Sequence, residues 1–394
     1  MAPAMSGHME NSWNPFRCGG TTLPTPLLLS AKLIVATLLL TNHVSTIPDP
    51  FLPFFSIFDH IDSVHIFQRI LQTTFIGASL ALLLNRSVRL SVFILGMVIL
   101  VGIAASRIYW SNNTFYCGVI LLLIGLYQHD RGQWLLCIQV ALIYLGSGLN
   151  KALDPAWQSG QFFEHWTSAS LNHKTYLEVA SWFPPLALSK IMCWATIGIE
   201  WSLFLGFLTP RFWTIALWLG IFFHASMTLF AGMTFVLFFY VVLASYLIFA
   251  RWPSTHATVL YDGDCAFCER TKRFFERLDL EKQFEWIPFQ SNRATSFGID
   301  PDKLCQRLHM IAEDRVLTGF QAFKTILLYN PLVYFAMLFG LLVFHQGPTL
   351  GRNLLIISGF FFFFPVFNPI GEAIYDFVAK RRMRLASGSH CGTE

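Results

Sequence analysis

The chain has 394 residues, of which 54% are hydrophobic and 13% charged, with a mean hydropathy of +0.52 and a formal net charge of +4. An ordinary soluble domain carries about 25% charged residues, so this composition excludes a purely soluble protein and fits a multi-span membrane protein with room for two or three domains. The small positive charge comes from loop arginines and offers no footprint for nucleic acid, and 8 cysteines without dense spacing exclude a disulfide scaffold.

Residues 1–25 are polar, with Pro, Ser and Gly, and lack a signal-peptide pattern, which predicts a flexible leader. Eight apolar stretches follow: Pro26–Val44, Phe67–Leu84, Leu90–Ala105, Thr114–Gln128, Trp134–Asn150, Leu186–Leu208, Phe212–Phe230 and Thr234–Ala250. Each reads as a helix of a membrane domain spanning 26–250, although some are shorter than the roughly 20 residues a bilayer asks for. Arg86 with Arg89, then Arg131, Arg211 and Arg251 fall in alternate loops, while the loop from Ser45 to Ser63 has aspartates and no Lys or Arg. By the bias of basic residues toward the inner face, the N-terminus, Arg251 and the cysteine-bearing domain are predicted cytoplasmic. The long loop from Lys151 to Ser181 then lies on the opposite side.

The end of the fifth stretch reads Tyr144-Leu-Gly-Ser-Gly-Leu-Asn-Lys151, followed by a turn through Trp157 to Gly160. This resembles the transmembrane region of vitamin K-dependent γ-carboxylase and the wider HTTM family built on it. Ser111-Asn-Asn-Thr-Phe-Tyr116 and Phe223-His224 followed by Gly232-Met233 carry the same resemblance. It implies that Lys151 is a base acting on a quinone or vitamin K-like hydroquinone, since a desolvated lysine gives up its proton more readily. The sequence departs from that family at Thr114, where the carboxylase has a histidine, and has no counterpart of its large lumenal domain. A site for a quinone or other lipid-like reductant is therefore the expectation, rather than γ-carboxylation. Within the spans, His224 and Glu200 join Lys151 and Trp157 as candidates for that site. The bland readings are a snorkelling lysine, a hydrogen-bonded histidine and a paired carboxylate.

Charge density rises after Ala250 and marks a domain boundary. Ala257 to Tyr261 is a short β-prone run, Asp262-Gly263-Asp264 a turn, and Cys265 and Cys268 open a helical segment. A thiolate at a helix N-terminus faces free backbone N–H groups and the positive end of the dipole, which makes the first cysteine the better nucleophile. Cys268, one turn on, can close a disulfide. Arg270, Lys272 and Arg273 add positive charge, whereas Asp262 and Asp264 oppose them or accept a proton from the second thiol.

Tyr261-Asp-Gly-Asp-Cys-Ala-Phe-Cys268 resembles the opening motif of the DCC family (DUF393) of thiol–disulfide oxidoreductases. Gly298-Ile299, Leu308-His-Met-Ile311, Gly319-Phe-Gln-Ala322 and a basic closing helix over Tyr375–Arg384 extend the likeness. It implies an α/β thioredoxin-like domain over 256–385 behind the polytopic α-helical membrane domain. Leu280–Ile287 and Arg307–Ala312 read as further strands and Pro301–Gln306 as a short helix. The apolar segments 325–345 and 354–367 read either as two more spans or as buried and interfacial helices. Residues 386–394 read as a disordered tail.

The preferred expectation is a membrane-bound thiol–disulfide oxidoreductase. Its dithiol needs no cofactor, its substrate is a protein or small-molecule disulfide, and its surroundings are membrane lipids. Two alternatives stand beside it. One is a quinone- or lipid-modifying enzyme of carboxylase or epoxidase type centred on Lys151. The other is a non-enzymatic membrane protein in which Cys265, Cys268, Cys305 and His309 hold a structural zinc.

Overall fold

The computed structural model describes residues 13–128, 133–231, 236–250, 252, 256–313, 315–343 and 349–385. The loop residues Arg131 and Arg251, the Gly232-Met233 pair, Cys391 and the tail thus lie outside the described residues. Contacts divide the chain into two compact units. One runs from Pro26 to Ala250. The other joins the N-terminal stretch through Thr25, and the short segment Leu83–Asn85, to the chain after Ala250.

In the first unit each of the eight apolar stretches contains a helix. They are α1 Thr25–Leu40, α2 Val64–Leu83, α3 Val88–Ala105, α4 Asn112–Gly125, α5 Trp134–Leu153, α6 Ala187–Leu208, α7 Trp213–Ala231 and α8 Val236–Ser245. Helix is the form that satisfies every backbone N–H and C=O inside an apolar run. Five, over Val64–Leu83, Val88–Ala105, Trp134–Leu153, Ala187–Leu208 and Pro210–Ala231, are long and apolar enough to cross a membrane. The other three apolar helices are shorter. Glycines let neighbours approach closely, as in lipid-embedded bundles. A Cβ on Gly96 of α3 would lie 2.4 Å from the Leu122 nitrogen of α4, and one on Gly125 would lie 2.6 Å from the Phe93 nitrogen. Between α5 and α6, the Asp154 carboxylate accepts the Ala156 N–H at 2.8 Å and starts the turn Pro155–Ser159, which Gly160 ends at φ 86°.

The second unit is built on a four-stranded sheet of β1 Ala257–Tyr261, β2 Phe284–Pro288, β3 His309–Ala312 and β4 Arg315–Thr318, in the order β2-β1-β3-β4. β1 and β2 are parallel; β1–β3 and β3–β4 are antiparallel. Helix α9 (Ala266–Leu278) joins the parallel pair, α10 (Pro301–Gln306) precedes β3, and α11 (Gly319–Leu328) follows β4. This βαβ unit followed by a ββα unit is the thioredoxin-like arrangement expected from the sequence. β1 is covered on both faces, so it reads as an apolar run broken only by the half-buried Thr258. Val259 packs with Phe275, Met310, Ala322 and Ile326 on one side. Leu260 packs with Ile287, Ala294 and Leu304 on the other.

Several local expectations change. β2 begins at Phe284 rather than Leu280, because Lys282 adopts φ 52° and the Asp279 carboxylate takes the N–H groups of Gln283 and Phe284, each at 2.9 Å. β3 begins at His309 rather than Arg307, since the Leu308 N–H donates to the Tyr375 hydroxyl instead. β4 carries no sequence signal of its own, since it is short and its first two residues are exposed. The leader is not free from Trp13 onward: the Gly19 N–H donates to the Glu281 carboxylate at 2.8 Å, Cys18 is buried, and Phe16 meets Phe335 edge-on. Segment 325–345 is not one helix. α11 ends at Leu328 and the chain turns by 74° into α12 (Pro331–Val343), with Asn330 Oδ1 accepting the Leu332 N–H at 3.0 Å. α13 (Thr349–Phe363) is likewise followed, after a 68° bend at Pro365, by α14 (Asn368–Leu385).

Candidate active site

The dithiol sits where β1 hands over to α9. Cys265 is the N-cap residue of α9, with extended backbone (φ −90°, ψ 112°), and its Sγ accepts the Cys268 N–H at 3.4 Å. One orphan donor of the helix start is thereby aimed at the sulfur, and the helix dipole favours negative charge in the same place. Neither sulfur is in a disulfide. Their access differs: Cys265 is 2% exposed, while Cys268 is half-buried. Phe267, between them in sequence, is 54% exposed and puts an apolar ring on the surface beside the pair.

The turn that delivers Cys265 is held by a residue the sequence reading passed over. The Gln290 side-chain amide donates to Asp262 Oδ1 at 2.8 Å and to Asp264 Oδ2 at 3.3 Å, and its oxygen accepts the Gly263 N–H at 3.1 Å. Asp262 Oδ1 also accepts the Asp264 N–H at 3.1 Å, and Asp262 is 4% exposed. Both aspartates are therefore parts of the turn's frame. A Cβ on Gly263 would come within 2.9 Å of the Pro288 Cβ, so β2 packs against the turn where only glycine fits.

The cations expected around the thiols are largely committed elsewhere. Lys272 and Arg273 pair with Glu269 at 3.7 and 3.4 Å. The Tyr261 hydroxyl donates to the same carboxylate at 3.2 Å, and the Lys272 ammonium lies 5.3 Å from the Tyr261 ring centre. Burial raises the Tyr261 pKa against the pull of Lys272.

The zinc alternative does not assemble. Cys305 is disulfide-bonded and so offers no thiolate. His309 is buried, with its Nδ1 bonded to the Arg307 carbonyl at 2.9 Å. Its pKa is lowered by burial, with the Arg307 and Lys303 charges adding to that and the carbonyl opposing it. Among the described residues, no three His, Cys, Asp or Glu side chains come together as a metal site would require. Strand register does put His309 opposite Leu260, at the end of the sheet from which the dithiol turn leaves.

In the membrane unit the four candidates fall into two groups. Lys151 Nζ lies 2.8 Å from Glu200 Oε1 and 3.0 Å from Oε2, and also bonds to Ser147. Ser147 donates to the same carboxylate at 3.0 Å, and the Trp157 ring lies 5.2 Å from the ammonium. His224 stands with a different set: its Nε2 is 2.9 Å from the Tyr144 hydroxyl, which also bonds to Tyr246. Tyr144, Ser147 and Lys151 recur at helical spacing along one face of α5. Tyr144 and Ser147 lie within the quoted stretch, but their pairing, like that of Tyr246, is not legible there, because a hydroxyl in an apolar helix carries no signal until its partner is known.

Residues 259–348 match the family model of the DCC1-like thiol-disulfide oxidoreductases. The chain thus carries a DCC1-like thiol-disulfide oxidoreductase domain, and the matched stretch takes in the Cys265/Cys268 pair, Gln290 and His309. No curated protein and no solved structure matches. The match does not reach the membrane unit, and no HTTM or carboxylase-like domain is identified there.

Proposed function

We propose that the chain is a membrane-bound thiol–disulfide oxidoreductase working through Cys265 and Cys268. The observation that carries this is the Cys268 N–H aimed at the Cys265 sulfur at the mouth of α9. Cys265 thiolate attacks one sulfur of a substrate disulfide, forming a mixed disulfide and expelling the other substrate sulfur as a thiolate. Cys268 then attacks the Cys265 sulfur, releases the second substrate thiolate and leaves Cys265–Cys268 oxidised. Two electrons pass from the protein to the substrate. Because Cys265 is only 2% exposed, its surroundings must yield before a bulky disulfide can reach it. The exposed Phe267 ring favours substrates with an apolar surface next to the disulfide.

The spacing of loop arginines favours a cytoplasmic position for this domain. A lipid-soluble quinol, delivering two electrons and two protons to the oxidised pair and leaving as the quinone, is the class of donor that suits a chain with a membrane half. A redox titration of the pair in native membranes, with thiol labelling from each side, tests the reading. A pair that never changes oxidation state between strongly reducing and strongly oxidising buffers overturns it.

A second reading places quinone or lipid chemistry at the membrane cluster. The grouping of Lys151, Glu200 and Trp157, with the His224–Tyr144 pair farther along α5, supports a polar pocket for a quinone-type head group. At Lys151 the Nζ is already engaged by the Glu200 carboxylate and Ser147. A Lys151→Ala change that abolishes turnover while Cys265→Ser does not would favour this reading over the first.

A further inference from the structure

Helix α14 turns its polar side chains toward its own domain and its apolar side chains away. Arg307 reaches Glu372 Oε2 at 3.1 Å and also Asp376, while Tyr375 accepts the Leu308 N–H at 2.9 Å. Gly371 lies on that same inner side, where a Cβ would meet the Phe320 ring at 2.2 Å. The outer side presents Ile370, Ile374, Phe377 and Val378, which are 55%, 61%, 57% and 42% exposed. Their spacing makes one continuous stripe along the helix. A helix seated on a water-soluble domain has the reverse arrangement, so this stripe needs an apolar neighbour.

Helices α12 and α13 extend the same character. They pack on each other, with Gly340 against Leu355, yet leave Val343, Leu350 and Leu354 exposed. With 13 and 15 residues they reach only about 20 and 22 Å at 1.5 Å per residue, short of the roughly 30 Å of bilayer hydrocarbon. Nor does either bent pair work as a single crossing. α11, before α12, is fixed in the sheet core by Ala322 and Ile326, and α14, after α13, is fixed by Arg307.

We propose that the outer stripe of α14, together with α12 and α13, is a monotopic membrane-binding face that enters one leaflet of an anionic bilayer. Charge complementarity identifies the occupant. Lys380 and Arg381 are exposed at the end of the stripe, the sequence continues with Arg382 and Arg384, and the Arg381 guanidinium lies 4.5 Å from the Phe377 ring centre. Apolar residues bordered by cations suit the boundary between acyl chains and phosphate head groups. The membrane-length helices of the same chain keep a bilayer within reach. This face holds the dithiol domain at the lipid surface by its own contact, independently of whether the thiol chemistry proposed above is correct.

The test uses the full chain in phosphatidylserine-containing vesicles, with an environment-sensitive fluorescent amino acid placed at Ile374, at Ile370 as a second position, or at Arg293 on the exposed surface as the reference. Acyl-chain bromolipids should quench positions 374 and 370 at least about twofold more than 293, with aqueous iodide showing the opposite order. Lys380→Glu with Arg381→Glu should weaken the bromolipid quenching in anionic vesicles and leave it unchanged in phosphatidylcholine. Quenching of 374 and 370 by iodide alone overturns the proposal. So does protection of both positions from both quenchers, which would mean that a second copy or another protein covers the stripe. Unchanged free-thiol counts in each variant verify that the domain remains folded.

Discussion

The backbone N–H of Cys268 points at the Sγ of Cys265 across 3.4 Å, so the residue that would resolve a mixed disulfide also holds in place the sulfur that would form it. The two cysteines should therefore fail differently. Cys265→Ser abolishes turnover and leaves no covalent adduct. Cys268→Ser abolishes turnover but accumulates a mixed disulfide with the substrate, because nothing releases it. Non-reducing gels with a labelled disulfide substrate distinguish the two; adducts on Cys265→Ser alone would reverse the assigned roles.

Gln290 holds the turn that carries the first cysteine, and its loss should be felt in both stability and rate. Gln290→Leu removes the side-chain donor from the buried Asp262 carboxylate, a cost of about 1–3 kcal/mol. A loosened turn misplaces the sulfur, and turnover falls by roughly 10–100-fold. Gln290→Glu should be worse than Gln290→Leu at neutral pH, since it sets a third carboxylate against Asp262 and Asp264. Thermal unfolding and steady-state reduction of a model disulfide measure the two effects.

The Lys151–Glu200 pair predicts strong non-additivity. Lys151→Met leaves a buried carboxylate without its cation and should cost about 3–5 kcal/mol, whereas Lys151→Met with Glu200→Leu should recover most of that loss. Thermal inactivation of the detergent-solubilised chain follows this. A double variant as stable as the wild type but without turnover would point to chemistry at the pair.

His309 gives the dithiol domain a pH dependence of defined sign. Its folded pKa lies below the ordinary 6.5, chiefly because it is buried. As pH falls, the unfolded chain takes up the proton first, so stability from this group is fully present above about pH 6.5 and is lost as pH drops toward the folded value. The unfolding midpoint should therefore decline from pH 7 toward pH 5, and His309→Gln should flatten that decline.

The dithiol could be read from sequence because its parts are local: a β-prone run, a turn and two cysteines one helical turn apart. Gln290 could not be read in the same way. It reaches Gly263 across 27 residues and becomes visible only once β1 and β2 are known to run parallel, with Tyr261 paired to Pro288. Lys151 and Glu200 were each singled out, but 49 residues of chain hid that they are partners. The reversed face of α14 was hidden for a related reason. Its glutamate and aspartate look like ordinary surface acids until Arg307, more than sixty residues earlier, is seen to take both.

The unequal burial of the two sulfurs bears on how the chain survives oxidative stress. A passing peroxide meets Cys268 first, and the sulfenic acid formed there can condense with the sheltered neighbour to give a disulfide that thiols reverse. Irreversible over-oxidation of Cys265 would require the oxidant to reach a sulfur that is only 2% exposed. Burial of the first sulfur would thus spend the accessible one first and keep the other in repair.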